Sequence, residues 1–432
     1  MSSDSALPLI DVSELKVGMY IHLDLSWMEH PFALSRFKLS NQDQIDSIAQ
    51  LGLKQVKWSP ALSAPVGVSA QPFASHASAN DDVAPPTETA HTPHVDPTEH
   101  AEARARVALA SQREALSLCE QQFVEVVQAH RNVCDAAVAR PQQAGEQARR
   151  LAQALVQKVS GPQDIQIRLL TQSAGEAVSA HAVNVGVLAL LMGRVFGWSA
   201  ADLADLCLGA MLHDIGKEAL PMSLRVRDEA FNAKEMRTYH DHVAQGVAMG
   251  QRMGLPSAAL LVIGQHHEMS DGTGYPMQVR AERLSAAARV VALLNHYDNL
   301  CNNPRNEQPF TPHEALSTLF TQGSEKFDTS ILAAFIKMMG VYPPGSLVQL
   351  TDDRYAMVVG VNSSRPNRPK VMVHDPKLSW KSELIVDLEE VSGLGIRRSL
   401  KPRDVPAAAL AFLSPRPRVA YFFEPMPQQA VA

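Results

Sequence analysis

Between Ala201 and Asp214 the residues Leu203, Leu206, Cys207, Ala210 and Met211 recur at helical spacing, and Asp214 continues their stripe at i+11 from Leu203. A helix with this pattern carries a carboxylate on its core face. Burying that charge unpaired is prohibitively costly, so Asp214 needs a cation, a protonated partner or a metal. It lies in MLHDIGK (Met211 to Lys217), directly after His213, and HHEMSDGTGYP (His266 to Pro276) follows further along the chain. His and Asp are good ligands for divalent first-row metals, and Asp can bridge two ions through its two oxygens.

Other helical stripes converge on the same chemistry. His181 is in register with Val185, Leu188, Met192 and Val195, and His242 with Tyr239, Val243, Gly246, Met249 and Met253. Both imidazoles are predicted to face inward, whereas His240 falls off the stripe and reads as a surface residue. One inward His is ordinarily a satisfied core residue. Two of them, together with His213, Asp214, His266 and His267, point to a two-metal hydrolytic site.

With 432 residues, 46% of them apolar, the chain can build two or three domains. Its 39 basic and 45 acidic residues leave a net charge of −6, which is no footprint for a nucleic acid polymer. Cys119, Cys134, Cys207 and Cys301 form no CxxC pair, which fits a reducing cytoplasm. The N-terminus has an early Asp4 and no apolar run behind a basic region, so no signal peptide is expected. The most apolar stretch, Ala182 to Trp198, is broken by Asn184 and Arg194, and no membrane span is expected.

The expected architecture is multidomain α+β. Residues 1–60 read as a small mixed α/β domain, with a strand around Val17 to Leu23, a helix from Asn41 to Leu51 capped by Ser40, and a second strand from Leu53 to Trp58. Residues 61–98 are rich in Pro, Ala, Ser and Thr and read as a disordered linker. Residues 99–160 are connecting helices broken at Pro141, with one packing face at Leu116, Cys119, Phe123, Val126 and Val127; a connector or dimer helix is the bland reading, ligand sensing the other. Residues 161–342 are expected to be all-helical. Residues 343–432 alternate as short strands between turn signals and read as a β-rich module whose basic run, Arg397, Arg398, Lys401 and Arg403, is a solvated loop.

HDIGK at His213 to Lys217, HHE at His266 to Glu268 and DGTGYP at Asp271 to Pro276 together resemble the HD-GYP branch of the HD-domain metal-dependent phosphohydrolases, over roughly residues 165–305. LKVGMYIHLDLSWMEHPF, from Leu15 to Phe32, is similar to an N-terminal domain of unassigned function often found ahead of HD-GYP domains in bacteria. The resemblance implies an all-helical HD-type catalytic domain that holds iron, manganese or similar ions and hydrolyses cyclic di-GMP to linear pGpG or GMP. It makes His181, His213, Asp214, His242, His266 and His267 metal ligands, with Asp214 bridging. Lys217 corresponds to the lysine near the substrate phosphate, and Gly274, Tyr275 and Pro276 to the loop beside the site. Tyr275 and Lys217 are thereby placed on the substrate side, with Asp214 and Lys217 as the catalytic pair.

The chain also departs from the family. Where the family has a further metal-binding Asp, the stretch LNHYDNL from Leu294 to Leu300 has Asn295, on the inward face with Leu284, Ala288, Val291 and Ala292. An amide oxygen is a weaker ligand; Asp298, near the edge of that face, could substitute with rearrangement. Pro304 stands where the family often has a substrate-binding Arg, with Arg305 next to it. Ala177 replaces a carboxylate seen with three metals, so two divalent ions are expected.

In the physical account a hydroxide bridging two ions about 3.5–4 Å apart attacks the phosphodiester in line. Lys217 either stabilises charge on the phosphoryl oxygens or helps protonate the leaving 3′-oxygen. Glu268 either orients an imidazole or is a surface carboxylate. Expected partners are cyclic di-GMP, a diguanylate cyclase domain at the GYP loop, and a second copy of the chain. Two alternatives stand beside this reading: a signalling module that binds cyclic di-GMP or a diguanylate cyclase without turnover, and an HD phosphohydrolase acting on another nucleotide.

Overall fold

The computed structural model describes residues 7–25, 30, 32, 36–39, 41–63, 97–161, 164–170, 177–302, 309–323, 325–362, 365–376, 384–415 and 418–425. It divides into two compact units, Met1–Gln112 and Arg113–Ala432. Ser40, most of the expected linker with His76, His91 and His94, and both Pro304 and Arg305 lie outside the described residues.

In the first unit β1 (Leu9–Asp11), β2 (Tyr20–His22), β3 (Arg36–Lys38) and β4 (Gln55–Ser59) form an antiparallel sheet in the order β1-β4-β2-β3, with α1 (Gln42–Gln50). Ile10, Ile21, Leu39, Ile45, Ile48 and Val56 close its core. Asn41 caps α1, its side chain accepting the Gln44 N–H at 3.0 Å from an extended backbone, which is the role expected of Ser40.

The second unit begins within α2 (Pro97–Ala137), followed by α3 (Pro141–Val159). Pro141 opens α3 at its first turn, where a missing N–H costs nothing. The helices that follow are α4 (Ala177–Val195), α5 (Ala200–Leu212), α6 (Ala233–His240), α7 (His242–Arg252), α8 (Ser257–Gln265), α9 (Ala286–Asn302), α10 (Pro312–Gln322) and α11 (Thr329–Met339). Helix α4 is the centre, packed on α5, α9 and α11. Its segment Val178–Val195 is long and apolar enough to cross a membrane by length and composition, but 72% of it is buried inside the protein.

Small residues let these helices approach. A Cβ at Gly209 of α5 would meet the Val262 side chain of α8, and one at Gly145 of α3 would collide with the Met253 backbone at the end of α7. Helix α3, read from sequence as part of a connector, therefore packs directly against α5 and α7.

The strands β5 (Ile165–Leu169), β6 (Leu347–Leu350), β7 (Tyr355–Asn362), β8 (Lys370–His374), β9 (Leu384–Asp387), β10 (Ile396–Leu400) and β11 (Tyr421–Pro425) form one antiparallel sheet, with α12 (Ala407–Leu413) against β7 and β8. β6 and β5 share one edge of β7, and β11 pairs with β5 from Tyr421↔Leu169 to Pro425↔Ile165.

Two expectations are corrected here. The segment from 161 is not wholly helical, because Ile165, Ile167 and Leu169 alternate with Gln166 and Arg168 as a strand whose two faces are both buried. The basic run is solvated as expected but is not all loop: Arg397 and Arg398 belong to β10, where Arg397 pairs with Asp353 and Arg398 donates to Gln349 at 3.0 Å, and Lys401 meets Glu314 at 2.6 Å.

Candidate metal centre

Helix α5 is capped at its start by Ser199 and ends at His213, where the backbone tightens into a 3-10 turn, Ile215–Ala219. That turn lies directly on α7: a Cβ at Gly216 would collide with the His242 carbonyl and the Gly246 backbone. Only glycine permits this approach, which sets Asp214 beside the first residue of α7, His242. Helix α8 delivers His266 at its C-terminal cap and His267 immediately after it. Helix α4 brings His181 from the opposite side.

Carbonyl partners fix the tautomers. His213 Nδ1 donates to Ala210 O at 2.7 Å, His242 Nδ1 to Tyr239 O at 2.5 Å, and His266 Nδ1 to Ile263 O at 2.8 Å. A carbonyl can only accept, so each Nδ1 carries the proton and each Nε2 presents a lone pair inward. Burial pushes the pKa of His242 down to about 3 and that of His266 down to about 4, and holds His267 well below its ordinary value. All three rings are therefore neutral at pH 7.

Around Asp214 Oδ1 the result is a concentration of ring nitrogens with no hydrogen-bond donor, the Lys217 ammonium reaching only Oδ2. His242 Nε2 and His266 Nε2 stand 3.4 Å apart, and His267 Nε2 is buried without a hydrogen-bond partner. Asp214 Oδ1 is likewise buried and unpartnered, 3.5 Å from His242 Nε2 and 3.7 Å from His266 Nε2. The ligand atoms of Asp214, His242, His266 and His267 all lie within 4.8 Å of one another, and those of His181, His213 and Asp214 form a second such group. Lone pairs and a carboxylate oxygen facing each other in a dry core repel unless a cation sits among them, so these residues fit divalent metal.

Asp214 stays ionised. Burial works against its charge, but the Lys217 ammonium and the neighbouring imidazoles hold its carboxyl well below the usual range. Lys217 Nζ donates to Asp214 Oδ2 at 2.5 Å and lies 5.5 Å from the centre of the Tyr239 ring. His181 differs from the other rings: its Nδ1 donates to Asp298 Oδ2 at 2.6 Å and its Nε2 lies 3.2 Å from His213 Nε2. Burial lowers its pKa, yet the bond and charge of Asp298, with the charge of Asp214, raise it overall.

The loop after His267 is held by its own contacts. A Cβ at Gly274 would collide with the backbone of His267, Glu268 and Met269. Tyr275 donates its N–H to His267 O at 3.1 Å, and its ring stacks between His240 at 3.8 Å and His267 at 4.5 Å. Glu268, 1% exposed, accepts the N–H of Met277 at 2.6 Å and of Val279 at 3.1 Å. It is neither an imidazole partner nor a surface carboxylate; it fastens the loop.

The structure thus brings His181, His213, Asp214, His242, His266 and His267 together, with Lys217 on Asp214 and Tyr275 against His267. Asn295 is buried on α9, and its Oδ1 accepts from Asn299 at 2.7 Å. Asp298 is not a spare ligand, because His181, Asn184 and Asn302 occupy its oxygens. His240 is half-buried rather than a surface residue, since α6 ends at His240 and α7 restarts at His242, which breaks the single register assumed across them. Sequence reasoning missed Asn184, which was legible only as a polar residue inside an apolar run.

Residues 132–331 match the family described as HD domain, and residues 8–148 match a domain of unknown function, DUF3391. The chain is similar to a cyclic di-GMP phosphodiesterase of Pseudomonas aeruginosa, 28% identical over 376 residues that cover 85% of each chain. It is also similar to the cyclic di-GMP phosphodiesterase PdeB of Borreliella burgdorferi, 25% identical over 205 residues, 47% of this chain and 54% of that one. Among solved structures, an HDG"Y"P protein of Bdellovibrio bacteriovorus aligns over 76% of this chain and 97% of its own, with 15% identity and a TM-score of 0.40.

Proposed function

The chain belongs to the HD-domain proteins and carries a DUF3391 domain ahead of its HD domain, and from that premise we propose that it is a metal-dependent phosphodiesterase hydrolysing cyclic di-GMP. The observation that carries the metal assignment is the donor-free meeting of Asp214 Oδ1 with three neutral imidazoles, His242, His266 and His267. His181 and His213 would hold an ion on the other side with Asp214 belonging to both groups, and Asn295 would add a neutral oxygen on the resemblance alone. Two divalent ions, iron or manganese, held there would supply Lewis acidity toward the scissile phosphate and would activate water near neutral pH.

The protein groups do the rest. Lys217, charged and partly exposed to the site, neutralises charge growing on the phosphoryl oxygens or delivers a proton to the leaving 3′-oxygen. Tyr275 keeps its phenolic proton, because burial raises its pKa, and so donates rather than accepts toward a substrate phosphate. Its stacking against His240 and His267 holds the ring in one orientation. Arg305 is assigned to substrate on the resemblance alone. The products are linear pGpG or GMP, and the place of action is the cytoplasm. Pro276 and Met277, the latter 73% exposed, present the loop to a diguanylate cyclase domain. The face of α2 at Cys119, Phe123, Val126 and Val127 is buried within the chain, with Phe123 against Phe422, so a homodimer would use another surface.

A second reading, a binder of cyclic di-GMP or of a diguanylate cyclase without turnover, draws on Asn295, a neutral amide whose oxygen already accepts from Asn299. Anaerobic purification, elemental analysis and chromatography of cyclic di-GMP separate the two. Bound metal with linear product supports the enzyme; two metals per chain with no product overturns it.

A further inference from the structure

Asp298 is fully buried, and each of its oxygens is occupied. Oδ2 accepts from His181 Nδ1, while Oδ1 accepts from Asn184 Nδ2 at 3.0 Å and from Asn302 Nδ2 at 2.9 Å. Both amides turn their other N–H to a single carbonyl, Val419 O, at 2.9 Å in each case. Their oxygens are used as well: Asn302 Oδ1 accepts from Val419 N at 2.8 Å, and Asn184 Oδ1 from Tyr421 N at 2.9 Å. Every polar atom of both side chains is thus committed, and neither amide can rotate without losing bonds in a dry site.

Val419 and Tyr421 lie beyond the residues that match the HD domain, at the start of β11. β11 is itself held along β5, and the Tyr421 hydroxyl meets Tyr297 at 3.0 Å and Pro344 O at 3.3 Å. An apolar group of the same volume would fill this space without the cost of desolvating a carboxylate. What a buried Asp298 adds is direction: it fixes the ring plane and tautomer of His181 and raises the basicity of the nitrogen that faces Asp214.

We propose that Asn184 and Asn302 are positioning residues of the metal centre, locked by the backbone of the C-terminal segment Val419–Tyr421, so that the His181 half of the centre takes its ion only with that segment in place. The inference rests on the reading of the His and Asp cluster as a two-ion site. Partners of this kind change metal affinity about 10–100-fold when lost. The effect is confined to one half, because His242, His266 and His267 take their orientation from α6, α7 and α8.

The test uses the full chain, stripped with chelator and titrated with Co²⁺ under visible absorption and elemental analysis. Wild type takes two equivalents. Asn184→Ala, Asn302→Ala and Val419→Pro, the last removing the N–H that Asn302 accepts, retain one tight equivalent and weaken the other about 10–100-fold. His242→Ala weakens the opposite class. Thermal unfolding with and without Co²⁺ separates positioning from packing: the expected variants lose part of the metal-induced rise in Tm. A lower metal-free Tm with an unchanged rise, or two unchanged affinities, overturns the positioning role while the centre stands. No Co²⁺ uptake by wild type overturns the centre itself and the proposal with it.

Discussion

Glu268 holds Met277 by a single short bond, the Met277 N–H donating to Glu268 Oε1 at 2.6 Å, and takes Val279 N–H on its other oxygen at 3.1 Å. A carboxylate that follows two ligand imidazoles therefore sets the far side of the loop that carries Tyr275. Glu268→Ala leaves two backbone N–H groups without their acceptor, a cost of about 1–3 kcal/mol each where they stay buried. The expected result is a raised KM for cyclic di-GMP and faster proteolysis at Gly272–Val279, with metal content unchanged. Loss of metal in this variant would show that Glu268 acts on the ligands instead.

Removing the shared ligand is a harsher change. Asp214→Ala, which removes a ligand common to both groups, should abolish bound metal and turnover, and His213→Ala should abolish turnover while losing the ion on the His181 side, read by elemental analysis and by chromatography of the dinucleotide. Undiminished hydrolysis in either variant would sink the site assignment.

Asn295→Asp restores charge to a buried position on α9. Since a carboxylate is the stronger ligand for a hard divalent ion, metal affinity and turnover should both rise. Calorimetric titration of the stripped protein with Mn²⁺ measures the first. A variant that binds metal more weakly than wild type would remove Asn295 from the ligand set.

The metal-free protein should weaken in acid. Burial lowers the pKa of His130 to about 4, as it does for His266, against an ordinary value of 6.5. Between these values the unfolded chain binds protons that the folded chain refuses, so stability falls as pH drops from about 6.5 toward about 4. His130 alone accounts for roughly 3 kcal/mol across that window. His181, whose pKa is raised, works in the opposite sense. Urea unfolding in chelator at stepped pH measures the slope, and His130→Gln, which keeps a donor near Met211 O, should flatten it. A slope that His130→Gln leaves unchanged would show that this ring does not drive it.

His181, Asp214 and His242 were legible because each broke an apolar stripe at a place where solvation could not explain it, while His213, His266 and His267 were read from their motifs. Asn184 broke such a stripe too, but an amide needs no counter-charge, so nothing in its own helix signalled the strand it binds. The alternation at Ile165 to Leu169 was present yet ambiguous, since its partner β11 comes from the far end of the chain and buries the polar face as well. His240 was misplaced for a local reason: the break at Asp241 turns the end of α6 away from the register of α7. Glu268 needed the loop's path, which no periodicity encodes.

Gly216 carries one more implication. Most of this core can exchange one aliphatic side chain for another and repack, whereas the seat of the HDIGK turn on α7 is backbone against backbone, with no side chain between to absorb a change. The gap between Asp214 and His242 works as a ruler graduated in peptide units, which neighbouring mutations cannot easily stretch.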